Sequence, residues 1–160
     1  MKRVQRNKWL VGGALVGALL LGGCSDSECT LSNTSYTCFQ FYNQNGKTVS
    51  MTGTISVTAA GTDSVLINQE SAPSQFQLPL SYTHEKDTFI VHYTERMIDS
   101  IFVTHANIPH FLSMDCGTGM YHTIEAVSST HNAIDSLSIV NPNVDYETKE
   151  NIKLYFTTTE

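Results

Sequence analysis

From residue 30 onward, apolar and polar residues alternate with a period of two, and no window sustains the i, i+3, i+4, i+7 spacing of an amphipathic helix. Val49, Met51, Gly53, Ile55 and Val57 fall on one face; Ser50, Thr52, Thr54, Ser56 and Thr58 fall on the other. A strand of this kind buries one face and wets the other. Tyr36–Tyr42 precedes it as an aromatic-rich strand, and Asn45-Gly46 between the two is a two-residue hairpin signal. Further runs are Val65–Asn68, Phe76–Leu80, Phe89–Tyr93, Ile98–Thr104, Tyr121–Val127, Ile134–Val140 and Ile152–Phe156. Gly61, His84–Asp87, Asn107–Pro109, Gly117–Gly119 and Asn141–Asn143 punctuate them as turns. The pattern predicts an all-β domain over 35–160, an antiparallel β-sandwich of about eight or nine strands, with a closed calycin-like barrel as the alternative. Pro79 belongs on an edge or at a strand end, where its missing N–H costs no ladder bond.

The pattern changes before residue 24. Lys2, Arg3, Arg6 and Lys8 precede an apolar stretch, Trp9–Leu21, which is too short for the roughly 20 residues a spanning helix needs. Leu21-Gly22-Gly23-Cys24 follows. A basic region, an apolar region and small residues before a cleavage point form the layout of an export signal. With a Cys at its end, the string looks like a bacterial lipobox. The expectation is a lipoprotein signal peptide over 1–23 and a lipidated tether over 24–34, with Cys24 acylated (palmitate among its chains). Two or more acyl chains hold a protein stably on a membrane where one is marginal. Ser25-Asp26-Ser27-Glu28 reads as a solvated tether, or as the Ser/acid surface-export signal of Bacteroidota lipoproteins. The periplasmic face and the cell surface both stay open.

Removing that segment changes the charge. The whole chain carries 9 Lys+Arg against 15 Asp+Glu, a net −6; residues 24–160 keep 5 and 15, which gives 5 − 15 = −10. Such a surface repels phosphate backbones and excludes nucleic acid as a partner.

Candidate chemistry is sparse. Beyond Cys24 stand Cys29, Cys38 and Cys116, an odd number for an oxidising compartment, which predicts one disulfide and one free thiol. Cys38 lies within an aromatic strand, where a free Cys acts as a small apolar residue. Cys29–Cys116 is the favoured pair, closing a long loop worth roughly 4–5 kcal/mol on the chain-entropy model; Cys29–Cys38 is the rival. The six histidines (84, 92, 105, 110, 122 and 131) show no ligand spacing, and His84-Glu85 lacks the second His of H-E-x-x-H because Thr88 stands there. No metal and no cofactor is expected. Asn141, Asn143, Asp145 and Glu147 alternate oxygen donors, but Tyr146 and Ile152 occupy the positions where a calcium loop needs Gly and Glu. There is no G-x-S-x-G elbow and no phosphate loop. With Trp9 lost, no Trp remains for sugar stacking or for a lipocalin signature. These absences point away from an enzyme.

One recurrence stands apart. Asp63-Ser64-Val65, Asp99-Ser100-Ile101 and Asp135-Ser136-Leu137 share an Asp-Ser-apolar pattern at expected strand starts. Turn chemistry suffices to explain it, since Asp and Ser hydrogen-bond nearby backbone. The pattern also resembles the O-glycosylation sequon of exported Bacteroidota proteins, which makes Ser64, Ser100 and Ser136 candidate modification sites.

Cys24 with its acidic follow-on, Cys29, Phe41-Tyr42, Leu78-Pro79-Leu80, Asp115-Cys116-Gly117 and Asn151-Ile152-Lys153 running into Tyr155-Phe156 occur in order. Together they resemble an uncharacterised family of short Bacteroidota lipoproteins, a domain of unknown function. The resemblance implies an all-β, outer-membrane-anchored lipoprotein associated with an outer-membrane barrel protein. It also implies the Cys29–Cys116 pairing, with Cys38 as a private addition. It carries no activity and no catalytic residues. The function expected is a lipid-anchored, non-enzymatic binding or accessory module of the envelope, acting through protein–protein contacts. A carrier of a small apolar ligand is the alternative.

Overall fold

The computed structural model describes residues 34–94 and 97–156. Cys24, Cys29 and the expected signal peptide lie outside them. The described chain is all β, with ten strands in two sheets. They are β1 (Tyr36–Asn43), β2 (Thr54–Ala59), β3 (Val65–Ser71), β4 (Gln75–Pro79), β5 (Lys86–Thr94), β6 (Met97–Ser113), β7 (Gly117–Ser129), β8 (Ile134–Ile139), β9 (Asn143–Val144) and β10 (Glu150–Phe156). A four-stranded sheet in the order β4-β1-β10-β8 faces a six-stranded sheet in the order β3-β2-β5-β6-β7-β9. Both sheets keep open edges, so the arrangement is a sandwich and the closed barrel does not form. All pairings are antiparallel except β1 with β10, which run parallel.

The alternation over residues 49–58 survives as burial but not as one strand. Ile55 and Val57 are buried and Val49 and Met51 half-buried, while Ser50, Thr52 and Thr54 face solvent. Strand geometry begins only at Thr54, because Gly53 sits at φ +95°, in the left-handed region that interrupts a ladder. A turn forms here, but as a three-residue loop over Gln44, Asn45 and Gly46 rather than a two-residue one, with Gly46 at φ +72°, Gly46 N donating to Asn43 O at 3.0 Å and Asn43 N to Lys47 O at 2.9 Å. It closes a short antiparallel return, with Tyr42 bridged to Thr48 and Val49 N donating to Phe41 O at 3.1 Å, but not a pairing of β1 with β2. β1 stays in the small sheet and β2 crosses to the large one, so the turn redirects the chain between layers. Pro79 ends β4, an edge strand, as its missing N–H requires.

The core is filled from both layers. Phe39 and Phe76 stack with centroids 4.9 Å apart, Phe41 meets Phe156 edge-on at 5.4 Å, and Tyr93 meets Phe156 at 5.5 Å. Ile55, Val57, Leu78, Val91, Ile101, Ile152 and Leu154 close around these rings at 1% exposure or less. Two polar staples seal the margins. Asp99, fully buried, accepts from Thr130 Oγ1 and from the backbone N–H groups of Asn132, Ala133 and Ile134 at 2.7–3.0 Å. This locks the turn between β7 and β8, in which His131 takes φ +57°. Asn151 accepts from Cys38 N and donates to Asn141 O and Asn143 O, tying β1 to the loop around β9.

The largest departure from the pattern is the length of β6 and β7. The sequence suggests turns at Asn107–Pro109 and Gly117–Gly119, yet both segments lie in strand. β5 pairs with β6 no further than Lys86↔Thr104, whereas β7 follows β6 out to Ser113↔Gly117. Beyond Thr104 the hairpin therefore continues as a ribbon with one unpaired β6 edge, and that edge tolerates Pro109.

Candidate functional site at the ribbon end

The inward stripe of β6 stays apolar through Ile101 and Val103 and then turns polar at His105 and Asn107; on β7 the facing residues are His122 and Ile124. The β4–β5 loop covers this polar end. His105 is fully buried and His122 2% exposed, with ring centroids 5.0 Å apart and perpendicular. His105 Nε2 lies 3.0 Å from Asp87 Oδ2, and Ser81 N donates to the same oxygen at 2.7 Å. A carboxylate only accepts, so this bond places the proton on His105 Nε2. His122 Nδ1 lies 2.7 Å from Asn107 Oδ1, and Asn107 Nδ2 donates to His84 O at 3.0 Å. With the amide oriented by that second bond, His122 carries its proton on Nδ1. Tyr82 stacks on His122 at 6.2 Å and donates to Thr34 Oγ1 at 2.8 Å.

Both remaining ring nitrogens, His105 Nδ1 and His122 Nε2, are buried without a hydrogen-bond partner among the described residues. Burial first, then the neighbouring His105 ring, push His122 down to about 4, with Asp87 opposing in part. An imidazole held so low is a poor general base near neutrality. No hydroxyl or thiol among the described residues hydrogen-bonds to either open nitrogen, so the Asp87–His105 pair lacks the nucleophile of a triad. Among the described residues no group of three or more His, Cys, Asp or Glu is placed to hold a metal ion. The polar layer closes the end of the sandwich and fixes where the ribbon leaves it.

The outer side of the ribbon is different in kind. A surface groove of about 330 Å³ runs between the ribbon and the β9 segment, lined by Ile108, His110, Tyr121, Asp145 and Tyr146 among others. His110 stacks on Tyr121 at 4.5 Å, and Tyr121 tilts against Tyr146 at 6.3 Å. Burial and the Asp145 carboxylate, with Tyr146 behind it, raise the Tyr121 phenol above its usual range. Ile108 and Tyr146 remain 45% and 54% exposed, and further out Phe111 and Met114 reach 60% and 89%. An amphipathic aromatic rim around a shallow groove suits contact with another surface.

The residues singled out in the sequence are dispersed. Cys38 is the free cysteine among the described residues, buried on β1 with its Sγ 3.8 Å from Gln75 Oε1. Burial, then the Glu150 carboxylate, push its thiol up. Its free state removes the rival Cys29–Cys38 pair. Cys116 is not free and sits at the ribbon tip, just before β7; Cys29 lies outside the described residues. Ser64 is exposed and immediately precedes β3, as expected. Ser100 and Ser136 lie inside β6 and β8 rather than at strand starts, Ser100 half-buried and Ser136 exposed. Their companion Asp99 is a buried staple, whereas the oxygens of Asn141 and Asp145 accept from backbone N–H groups two residues on. The groove and the histidine layer were not anticipated. The histidine layer has a signal in the period-two continuation Ile101, Val103, His105, Asn107, which reads as one inward face once β6 is allowed to run past Asn107.

A family model, a family of unknown function (DUF6452), matches residues 54–156. That span covers most of the chain, and the chain belongs to this family. It includes the core strands from β2 to β10 and the whole ribbon, but not β1 or the segment before it. No curated protein and no solved structure matches the chain.

Proposed function

We propose that this protein is a lipid-anchored, non-enzymatic binding module of the outer envelope that meets an outer-membrane partner protein through the ribbon groove. The observation that carries the reading is the split between the two sides of the ribbon. On the inner side His105 pairs with Asp87 and His122 with Asn107, while Tyr121, Tyr146 and Ile108 line an open groove outside. Cys24, acylated after removal of residues 1–23, holds the chain on the outer membrane, at its periplasmic face or at the cell surface.

In the same reading Cys29 pairs with Cys116. Thr34 bridges Met120 in parallel. The chain therefore enters Thr34 from the side of the ribbon tip, where Cys116 sits just before β7. Ser64, Ser100 and Ser136 are the sites at which O-linked glycans would be sought. Exposed Ser64 and Ser136 are the more accessible acceptors.

The test is a crosslinked pull-down of the lipidated protein from its own outer membrane, read by mass spectrometry, beside Ile108→Asp and Tyr146→Asp. Stoichiometric recovery of one membrane protein, crosslinked near residues 108–121 and lost in both variants, is the expected result. Recovery unchanged in the variants, or nothing specific from the parent protein, overturns the reading.

A further inference from the structure

The ribbon tip carries apolar residues that neither the core nor the groove uses. Phe111 is 60% exposed and Met114 89% exposed, on either side of the last β6 residues. Between Phe111 and Gly117 the only charged side chain is Asp115, and no Lys or Arg lies on the ribbon between 105 and 124. A tip of this composition is poorly suited to a hydrophilic exterior and equally poorly suited to recruitment by an anionic surface.

The direction of the chain says what meets it. Thr34 pairs with Met120 in parallel, Ser35 Oγ donates to Met120 O at 2.7 Å, and Tyr82 holds Thr34 from the other side. β7 runs from the tip toward the body, so a parallel neighbour also comes from the tip side. The described chain therefore enters Thr34 from the tip side, and ten residues precede Thr34 back to Cys24. They span at most about 35 Å. From Met120 the ribbon extends only three residues to Gly117, about 10 Å, before its turn. The tip thus lies on the side from which the chain enters the body, within the span that a ten-residue tether allows.

We infer that Phe111 and Met114 insert into the lipid interface and give the protein a second membrane contact, with the ribbon as a short foot that fixes the body's orientation on the membrane. The inference rests on the acylation of Cys24. Amphipathic elements enter the boundary between headgroups and acyl chains to a depth of about 5–10 Å, which suits two side chains at a hairpin tip. With Asp115 beside them and no cation near, the surface entered is a zwitterionic one. The groove behind the tip then faces sideways, along the membrane plane, where a membrane protein would be met.

The mature chain has no Trp, so one introduced residue reports alone. Phe111→Trp and Val65→Trp are compared in the full lipidated protein reconstituted into phosphatidylcholine vesicles with brominated acyl chains. Val65 is 58% exposed on edge strand β3, at the end of the sheet remote from the tip. The expected result is a blue-shifted Phe111→Trp emission that loses about half its intensity to bromines set ~5–10 Å deep, while Val65→Trp loses none. Adding phosphatidylglycerol should lessen the quenching. Equal or absent quenching at the two positions, in protein whose mass includes the acyl chains, overturns the foot and leaves the anchor standing. A mass without acyl chains overturns the anchor, and the foot with it.

Discussion

Two ends of one β-hairpin behave oppositely. In the half of β6 and β7 that lies in the sandwich, Ile101, Val103 and Ile124 are 0–3% exposed and join the ring cluster around Phe39 and Phe76. In the half that leaves it, Ile108, Phe111 and Met114 are 45–89% exposed although they are just as apolar. Hydrophobicity is the same in both halves; what differs is whether a second sheet lies opposite. Where one does, apolar side chains stabilise the fold. Where none does, they stay exposed to solvent, as an interaction surface would. The layer of buried His105 and His122 with half-buried Asp87 and Asn107 marks the boundary, because polar groups there can end the core without leaving an apolar gap.

This contrast breaks most sharply in the core. Phe39→Ala removes a fully buried ring stacked on Phe76, and unfolding in urea should show a loss of about 3–5 kcal/mol. Next comes Asp99→Asn. Burial alone would raise the Asp99 carboxyl, but the Asn132 N–H, the Thr130 hydroxyl and the Ala133 and Ile134 N–H groups outweigh it and hold it below the usual carboxylate range. Replacement leaves at least one buried N–H unmatched, a loss of about 2–3 kcal/mol. A lowered carboxyl stabilises the fold above its unfolded value and loses that contribution as pH falls through the folded one. Acid titrations of stability below pH 4 should therefore fall steeply in the parent protein and less steeply in Asp99→Asn.

The polar layer gives a smaller effect with a different pH window. His122 stays neutral in the folded protein down to about 4, whereas the unfolded chain takes up its proton near 6.5. The unfolded state binds more protons between those values, so stability falls as pH drops from 6.5 toward 4. The fall should be on the order of 2 kcal/mol. Urea midpoints at pH 7.5 and 5 measure it, and His122→Gln should flatten the slope. The ribbon tip stands at the far end of the scale. Phe111→Ser with Met114→Ser should change stability by less than about 0.5 kcal/mol while abolishing tip insertion. A loss of several kcal/mol would show that the tip is part of the core after all.

The sequence was most legible where one face meets the core and the other meets water. The alternation predicts an all-β sandwich, and β1, β4, β8 and β10 lie within a residue or two of their expected bounds. It misleads where local chemistry and tertiary setting disagree. Asn107–Pro109 and Gly117–Gly119 have turn composition, yet with one free edge the ribbon accepts a proline and small residues in strand geometry. Gly53 has the reverse effect, stopping a ten-residue alternation halfway through its length. The histidines looked scattered because 17 residues separate His105 from His122 in the chain, and only the register of β6 on β7 brings the two rings together. The groove depends on β9, two residues long and anchored by Asn151, which no periodicity reveals.

If the sandwich is a scaffold and the proposed contacts lie at the ribbon end, the two regions should respond differently to the membrane. Hydrogen–deuterium exchange compares the protein on the membrane to which the proposed Cys24 anchor would attach it with the same protein extracted in detergent. The account predicts that the membrane adds protection confined to 108–121 and 143–146, with β3 and β8 exchanging alike in both states. Protection spread over β3 or β8, or none at the ribbon, would contradict it.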